Sequence, residues 1–263
     1  MLIGTETGLG VPVGGESLSS IIWKTSSGGL HTIIVNVTDP NGTGGELSKQ
    51  IEVLPTILLV DDDRAGEGGL RDVITPMEAA LESVGASYTL HYVSGGDGPL
   101  YDAGEHPLKD FDLVIWLSGY ESTNTLTAND QSSLTKYMYN SQGRLWLIGQ
   151  DIVSNLGVNN PFLNNVMKID NTMPVAYLDA GTPDPVIGVD LFSGSEFNFT
   201  STFPTGLSNQ GDYLKVTNKA KVALAEKGGS NRPVSLIFNA TTNGTPNIDT
   251  YRAALFSFEF SKI

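Results

Sequence analysis

The apolar positions of this chain change their period once. Up to residue 54 they fall in short β-branched runs: SIIWKT (20–25), LHTIIVNVTD (30–39) and ELSKQIEVL (46–54). In the third run Leu47, Ile51 and Val53 alternate with Ser48, Gln50 and Glu52, the two-residue period of a half-buried strand. DPNGTGG (39–45) separates the second run from the third and carries the residues that tight hairpins need. Pro55 closes this all-β segment.

Beyond it the pattern alternates between strand and helix. TILLV (56–60) is continuously apolar, as expected of a parallel strand buried on both faces. LRDVITPMEAALESVG (70–85) reads as a helix with Thr75 as N-cap, Pro76 at the first helical position and Gly85 at the C-terminal cap. Its apolar stripe would be Met77, Ala80, Leu81 and Val84. YTLHYV (88–93) and DLVIWL (112–117) are the next strands. LTANDQSSLTKYMYNSQG (126–143) is a second helix, capped by Thr127 with Asp130 three residues on and closed by Gly143, and RLWLIG (144–149) is a fourth strand. After residue 155 NNPFLNN, AGTPDP and TTNGTPN read as loops, and VALAE, PVSLIF and AALFSFEF as strands. Such alternation predicts an α/β fold, a doubly wound and mostly parallel sheet over residues 55–263, behind a short all-β segment over 1–54. A doubly wound domain would cover its last strand with one more helix, so the C-terminus is expected to be truncated.

Composition narrows the function classes. With 263 residues, 40% hydrophobic and 17% charged, the chain has material for a core. A formal charge of −14 repels nucleic acid and anionic lipid surfaces. No stretch reaches the roughly 18–20 apolar residues of a membrane span. The absence of cysteine excludes disulfides, thiol nucleophiles and thiolate-held metals. Sequons at Asn36, Asn41, Asn198, Asn239 and Asn243 are compatible with export.

Three strand ends carry candidate chemistry, because ligands of open α/β sheets bind beyond the carboxyl ends of the strands. In LLVDDDRAGEGG (58–69), Asp61, Asp62 and Asp63 repel one another and invite a cation. A Ca²⁺ or Mg²⁺ site would draw on Asp61 and Asp63; the competing reading makes the aspartates turn caps beside Arg64. Gly66, Gly68 and Gly69 form a turn without phosphate-loop spacing. In WLSGYES (116–122), Ser118, Tyr120 and Glu121 would rim a ligand pocket, or simply form a strand-to-helix loop. In GQD (149–151), Gln150 and Asp151 occupy a strand-to-helix turn that lacks the G-x-S-x-G of a serine elbow. Asp151 is a candidate nucleophile or base but needs a partner, and of His31, His91 and His106 only His106 lies on a loop of this region. Tyr101, Trp116 and Tyr120 are candidate platforms for a glycan or peptide, Trp116 being more at home in a core.

The phrases ILLVDDD, FDLVIWLSG, TLTANDQSSLTKYM and GRLWLIGQDI, followed by VIGVDLF and YRAALFSFEF, together resemble the class I glutamine-amidotransferase-like domains of secreted and cell-surface bacterial and archaeal proteins. VPVGGESLSSIIWKTSSGGLHTIIVNVTDPNG resembles the second half of an immunoglobulin-like adhesion repeat. The resemblance implies a flavodoxin-like α/β domain in an extracellular or cell-surface, multidomain, often peptidase-associated protein, cut within one repeat. It also implies a degenerate active site. The family's catalytic enzymes place a cysteine at the elbow, where this chain has Gln150 or Asp151, and no histidine follows His106. The expected function is therefore a non-catalytic structural, docking or ligand-binding module whose partners are neighbouring domains of the parent protein. The alternatives are a metal-assisted or carboxylate hydrolase using Asp61, Asp63, Glu121 and Asp151, and a carbohydrate- or peptide-binding adhesin.

Overall fold

The computed structural model describes residues 20–21, 29–64, 72–170, 175–176, 185–198, 211–215, 217, 219–228, 232–239 and 251–259. Most of the strand expected at 20–25 lies outside the described residues, as do Gly66, Gly68, Gly69, most of AGTPDP and all of TTNGTPN. The chain divides into two compact units, Met1–Val53 and Leu54–Ile263.

In the first unit β1 (Gly29–Thr38) and β2 (Gly44–Val53) pair antiparallel, from Gly29 opposite Val53 to Thr38 opposite Gly44. The turn is built by Asp39, whose Oδ1 accepts from the N–H groups of Asn41 at 2.9 Å and Thr43 at 2.8 Å. Gly42 sits at φ +83°, a conformation open to glycine at little cost.

The second unit is organised by a nine-stranded sheet. Its first four strands, β3 (Ile57–Asp61), β4 (Tyr88–Tyr92), β5 (Leu113–Gly119) and β6 (Arg144–Gly149), run parallel. A two-residue β7 (Val175–Ala176) pairs outside this sheet with β10 (Asp212–Tyr213). The remaining strands are β8 (Val186–Gly188), β9 (Glu196–Phe197), β11 (Lys221–Glu226), β12 (Pro233–Asn239) and β13 (Arg252–Phe256). The order is β4-β3-β5-β6-β13-β12-β11-β8-β9.

This architecture corrects the expectation of a doubly wound, mostly parallel α/β sheet. Strand outweighs helix among the described residues. The sheet is mixed: four junctions are parallel, and the four from β13 outward are antiparallel. For two of the antiparallel junctions the length of the links gives the reason. A parallel return needs a crossover of about a dozen residues or more. Only residues 227–232 separate β11 from β12, and 189–195 separate β8 from β9, so these strands return as hairpins.

Two helices cover the parallel part. α1 (Ile74–Ser83) lays Ile74, Met77 and Leu81 against Leu59, Ile115 and Leu117 on one face. α2 (Ala128–Asn140) lays Leu134, Tyr137 and Met138 against Leu58, Val114, Trp116 and Leu147 on the other. Each such buried side chain contributes about 1.5–3 kcal/mol. NNPFLNN, expected as a loop, contains a π-helical turn at Phe162–Val166 that buries Phe162, Leu163 and Val166.

Helix ends differ from the sequence reading in two places. α1 begins two residues earlier than expected, with Val73 rather than Thr75 at the N-cap and no cap from its own side chain. The acceptors come from outside: Asp63 Oδ2 takes the Val73 N–H at 2.7 Å, and Asp72 Oδ1 takes the Ile74 N–H at 2.9 Å. Pro76 is accommodated because the first amides of a helix lack intrahelical partners anyway. Val84, expected on the buried stripe, is 76% exposed beyond the last turn. Gly85 closes the helix at φ +69°. In α2 the Thr127–Asp130 capping box forms as read, with bonds of 3.1 and 2.8 Å. The C-cap of α2 is Ser141, two residues before Gly143, whose N–H still donates to the Tyr137 carbonyl of the last turn at 3.2 Å. The role of Gly143 is clearance, because a Cβ there would overlap the ring of Tyr137.

Gly143→Ala is therefore expected to cost about 1–3 kcal/mol, as overpacking does, with most of the penalty gone in a Tyr137→Leu background. Denaturant midpoints of the four proteins of this cycle check it, and additive losses would contradict it.

Candidate functional site at the strand ends

The three central parallel strands end at the same level. Asp61 lies opposite Leu117, Leu117 opposite Ile148, and Gly119 opposite Gly149. The residues that follow therefore emerge together along one edge of the sheet. They form a buried polar layer: Ser118 is 0% exposed, Gln150 1%, Asp63 2%, Asp62 5%, Asp61, Tyr120 and Glu121 6% each, and Asp151 8%.

Two glycines permit this closeness. Gly119, at φ +55°, would carry a Cβ only 2.8 Å from Asp63 Cβ. Gly149, at φ +154°, would drive a Cβ into Ser118 Oγ. Ser118 Oγ instead donates to the Ile148 carbonyl at 3.4 Å, and the Gln150 N–H donates to the Gly119 carbonyl at 3.0 Å.

Within the layer the carboxylates separate into distinct settings. Asp61 and Asp63 converge with Asp72, each offering an oxygen within 4.8 Å of the others. Burial pushes Asp61 up to about 7, with repulsion from Asp63 adding to it. Asp62 points elsewhere and accepts the Trp116 indole N–H at 3.0 Å; burial pushes it up to about 8. Glu121 faces Arg64 Nε at 3.5 Å and accepts from Thr123 Oγ1 at 3.0 Å. Asp151 holds a left-handed backbone, φ +55°, at the start of α3 (Ile152–Leu156), and its Oδ1 accepts from Ser154 Oγ at 3.1 Å. Burial raises its carboxyl.

Asp151 does not cap the helix it introduces. Asp212, fully buried, does so from β10: it accepts the Val153 N–H at 2.6 Å and the Ser154 N–H at 3.2 Å. Burial pushes Asp212 up to about 6 against the pull of those donors.

The structure thus joins Asp61 to Asp63 but not to Glu121 or Asp151, which have partners of their own. Arg64 pairs with Glu121. Trp116 is fully buried and serves the core, and Tyr101 is half-buried with its hydroxyl 3.3 Å from Ser141 Oγ. His91 and His106 pack edge to face, ring centroids 5.7 Å apart, while His31 belongs to β1 of the other unit. Asp72 and Asp212 were not foreseen as site residues. A helix that starts at Thr75 leaves Asp72 outside it, and the one signal for Asp72 is a single aspartate just before an apolar helical run. Asp212 sits among residues with no periodicity, 59 positions from the amide it binds. Comparison with known protein families and with curated proteins finds no match.

Asp212→Ala leaves the buried Val153 amide and the partly buried Ser154 amide without their acceptor, and a buried group so stranded costs about 1–3 kcal/mol, so the melting temperature is expected to fall markedly. The pH dependence of Asp212 follows from its raised native value. The folded state binds a proton that the unfolded state has already released, so the contribution is full below about 4 and is lost as pH rises through about 6. Relative to Asp212→Asn, the unaltered protein should lose stability between pH 4 and 7. Parallel denaturation curves of the two proteins check this, and a pH-independent difference would contradict it.

Proposed function

We propose that this chain is a non-catalytic structural, docking or ligand-binding module of a secreted or cell-surface multidomain protein. One observation carries the reading: the turn after β6, where a hydrolytic α/β enzyme would present its nucleophile, holds Gln150 and Asp151 in the closed polar layer. The Asp151 carboxylate is engaged by Ser154, and the neighbouring helix start is occupied by Asp212. A nucleophile or base needs an accessible atom and a proton-accepting partner within hydrogen-bond reach. The acidic charge and the resemblance to surface-protein domains support the same reading.

A second reading is favoured by the convergence of Asp61, Asp63 and Asp72, which would suit metal-assisted hydrolysis, since a bound cation polarises oxygen and activates water. The two separate by assay. The purified chain should give no saturable turnover of ester, amide, phosphoester or glycoside substrates, with or without Ca²⁺ or Mg²⁺, between pH 5 and 8. Any saturable turnover overturns the proposal. Its loss in Asp61→Asn would assign it to the metal-assisted reading, and its loss in Asp151→Asn to a carboxylate mechanism.

A further inference from the structure

We infer that Asp61, Asp63 and Asp72 form a binding site for a hard divalent cation of calcium's size, joining the end of β3 to the start of α1. The inference does not rest on the proposed function, since a structural cation serves a binding module and an enzyme alike.

Two separate observations support it. The first is the convergence itself: three carboxylates on two elements, nine residues apart at the closest chain distance between Asp63 and Asp72, bring oxygens within 4.8 Å of one another. Oxygens within that limit can share one cation, and three protein carboxylates suit calcium, which takes six to eight oxygens at roughly 2.3–2.6 Å in adaptable geometry, better than magnesium, which demands near-ideal octahedral geometry and is usually held by one or two carboxylates. All three donors are hard oxygens, the set that selects calcium or magnesium over zinc or copper.

The second is an unmet acceptor. Asp61 is 94% buried, its carboxylate faces Asp63 and Asp72, and its Oδ1 accepts no hydrogen bond. A buried carboxylate oxygen without a partner is unfavourable and calls for a proton, a donor or a cation. The local donors do not suffice. The start of α1 supplies amides to Asp63 Oδ2 and Asp72 Oδ1, but a helix N-terminus carries roughly half an elementary charge against three carboxylates. Arg64, next to Asp63 in sequence, is turned to Glu121. Each oxygen that accepts an amide keeps a second lone pair for a ligand bond. Water would complete the six to eight oxygens that calcium takes.

The rival solution is a proton shared by Asp61 and Asp63, and thermal unfolding of the full chain after chelation separates the two. A cation bound only by the folded state raises the midpoint with its concentration. Calcium chloride should raise it with the logarithm of its concentration above the dissociation constant, by about 5–10 °C at a hundredfold excess. Magnesium chloride should do less at equal concentration, and sodium chloride of matched ionic strength should do nothing comparable. Asp61→Asn should weaken calcium at least tenfold. Asp72→Asn, on an exposed residue and with its acceptor for Ile74 retained, should do the same without threatening the fold. No calcium shift at 10 mM (about tenfold above the weak limit of such sites), a shift reproduced by sodium, a larger effect of magnesium, or full response in both variants would overturn the inference.

Discussion

Three parallel strands that end in register set the character of the second unit. Because Asp61, Leu117 and Ile148 are level, the polar residues after them cannot spread apart; they are stacked into one layer against the sheet edge. Gly119 and Gly149 make the stacking possible by omitting a side chain where two loops meet. Everything else at this edge is a response to the same constraint: polar groups pressed together and shut away from water must find partners within the protein.

The partners found explain why carboxylates a few residues apart behave differently. Asp62 is met by an indole N–H, Glu121 by a guanidinium and a threonine, Asp151 by a serine, and Asp212 by two helix amides. These arrangements satisfy the carboxylates and also occupy them, so the elbow reads as packing. Among these acids only Asp61 has a fully buried oxygen that accepts no hydrogen bond, and it is the one that faces two further carboxylates. The different proposals made for the elbow and for the end of β3 therefore rest on local hydrogen bonding, although both lie on the same edge.

Local patterns were legible in the sequence and long-range ones were not. The apolar run at 56–60, the Thr127–Asp130 box and the Asp39 turn encode their structures within a few residues, and each formed where it was read. The fold class failed because strand direction in the C-terminal half depends on link length and on which edge each strand joins; β13 inserts beside β6 rather than following in order. The first helix was started late because its cap comes from Asp63, ten residues upstream of Val73, and from Asp72. At the site, Asp61 and Asp63 were visible as acids in a row. Their third partner and the Asp212 clamp depend on tertiary proximity, which periodicity does not record.

The central claim is that this edge is a closed layer in which burial governs the acids. Carbon-13 NMR of aspartate carboxyls, followed from pH 3 to 9 in chelated protein, tests it most directly. The account predicts that Asp62 titrates near 8 and Asp212 near 6, both well above the ordinary aspartate value of about 4. Titration of both Asp62 and Asp212 near 4 would show that water reaches the strand ends, and would contradict the account.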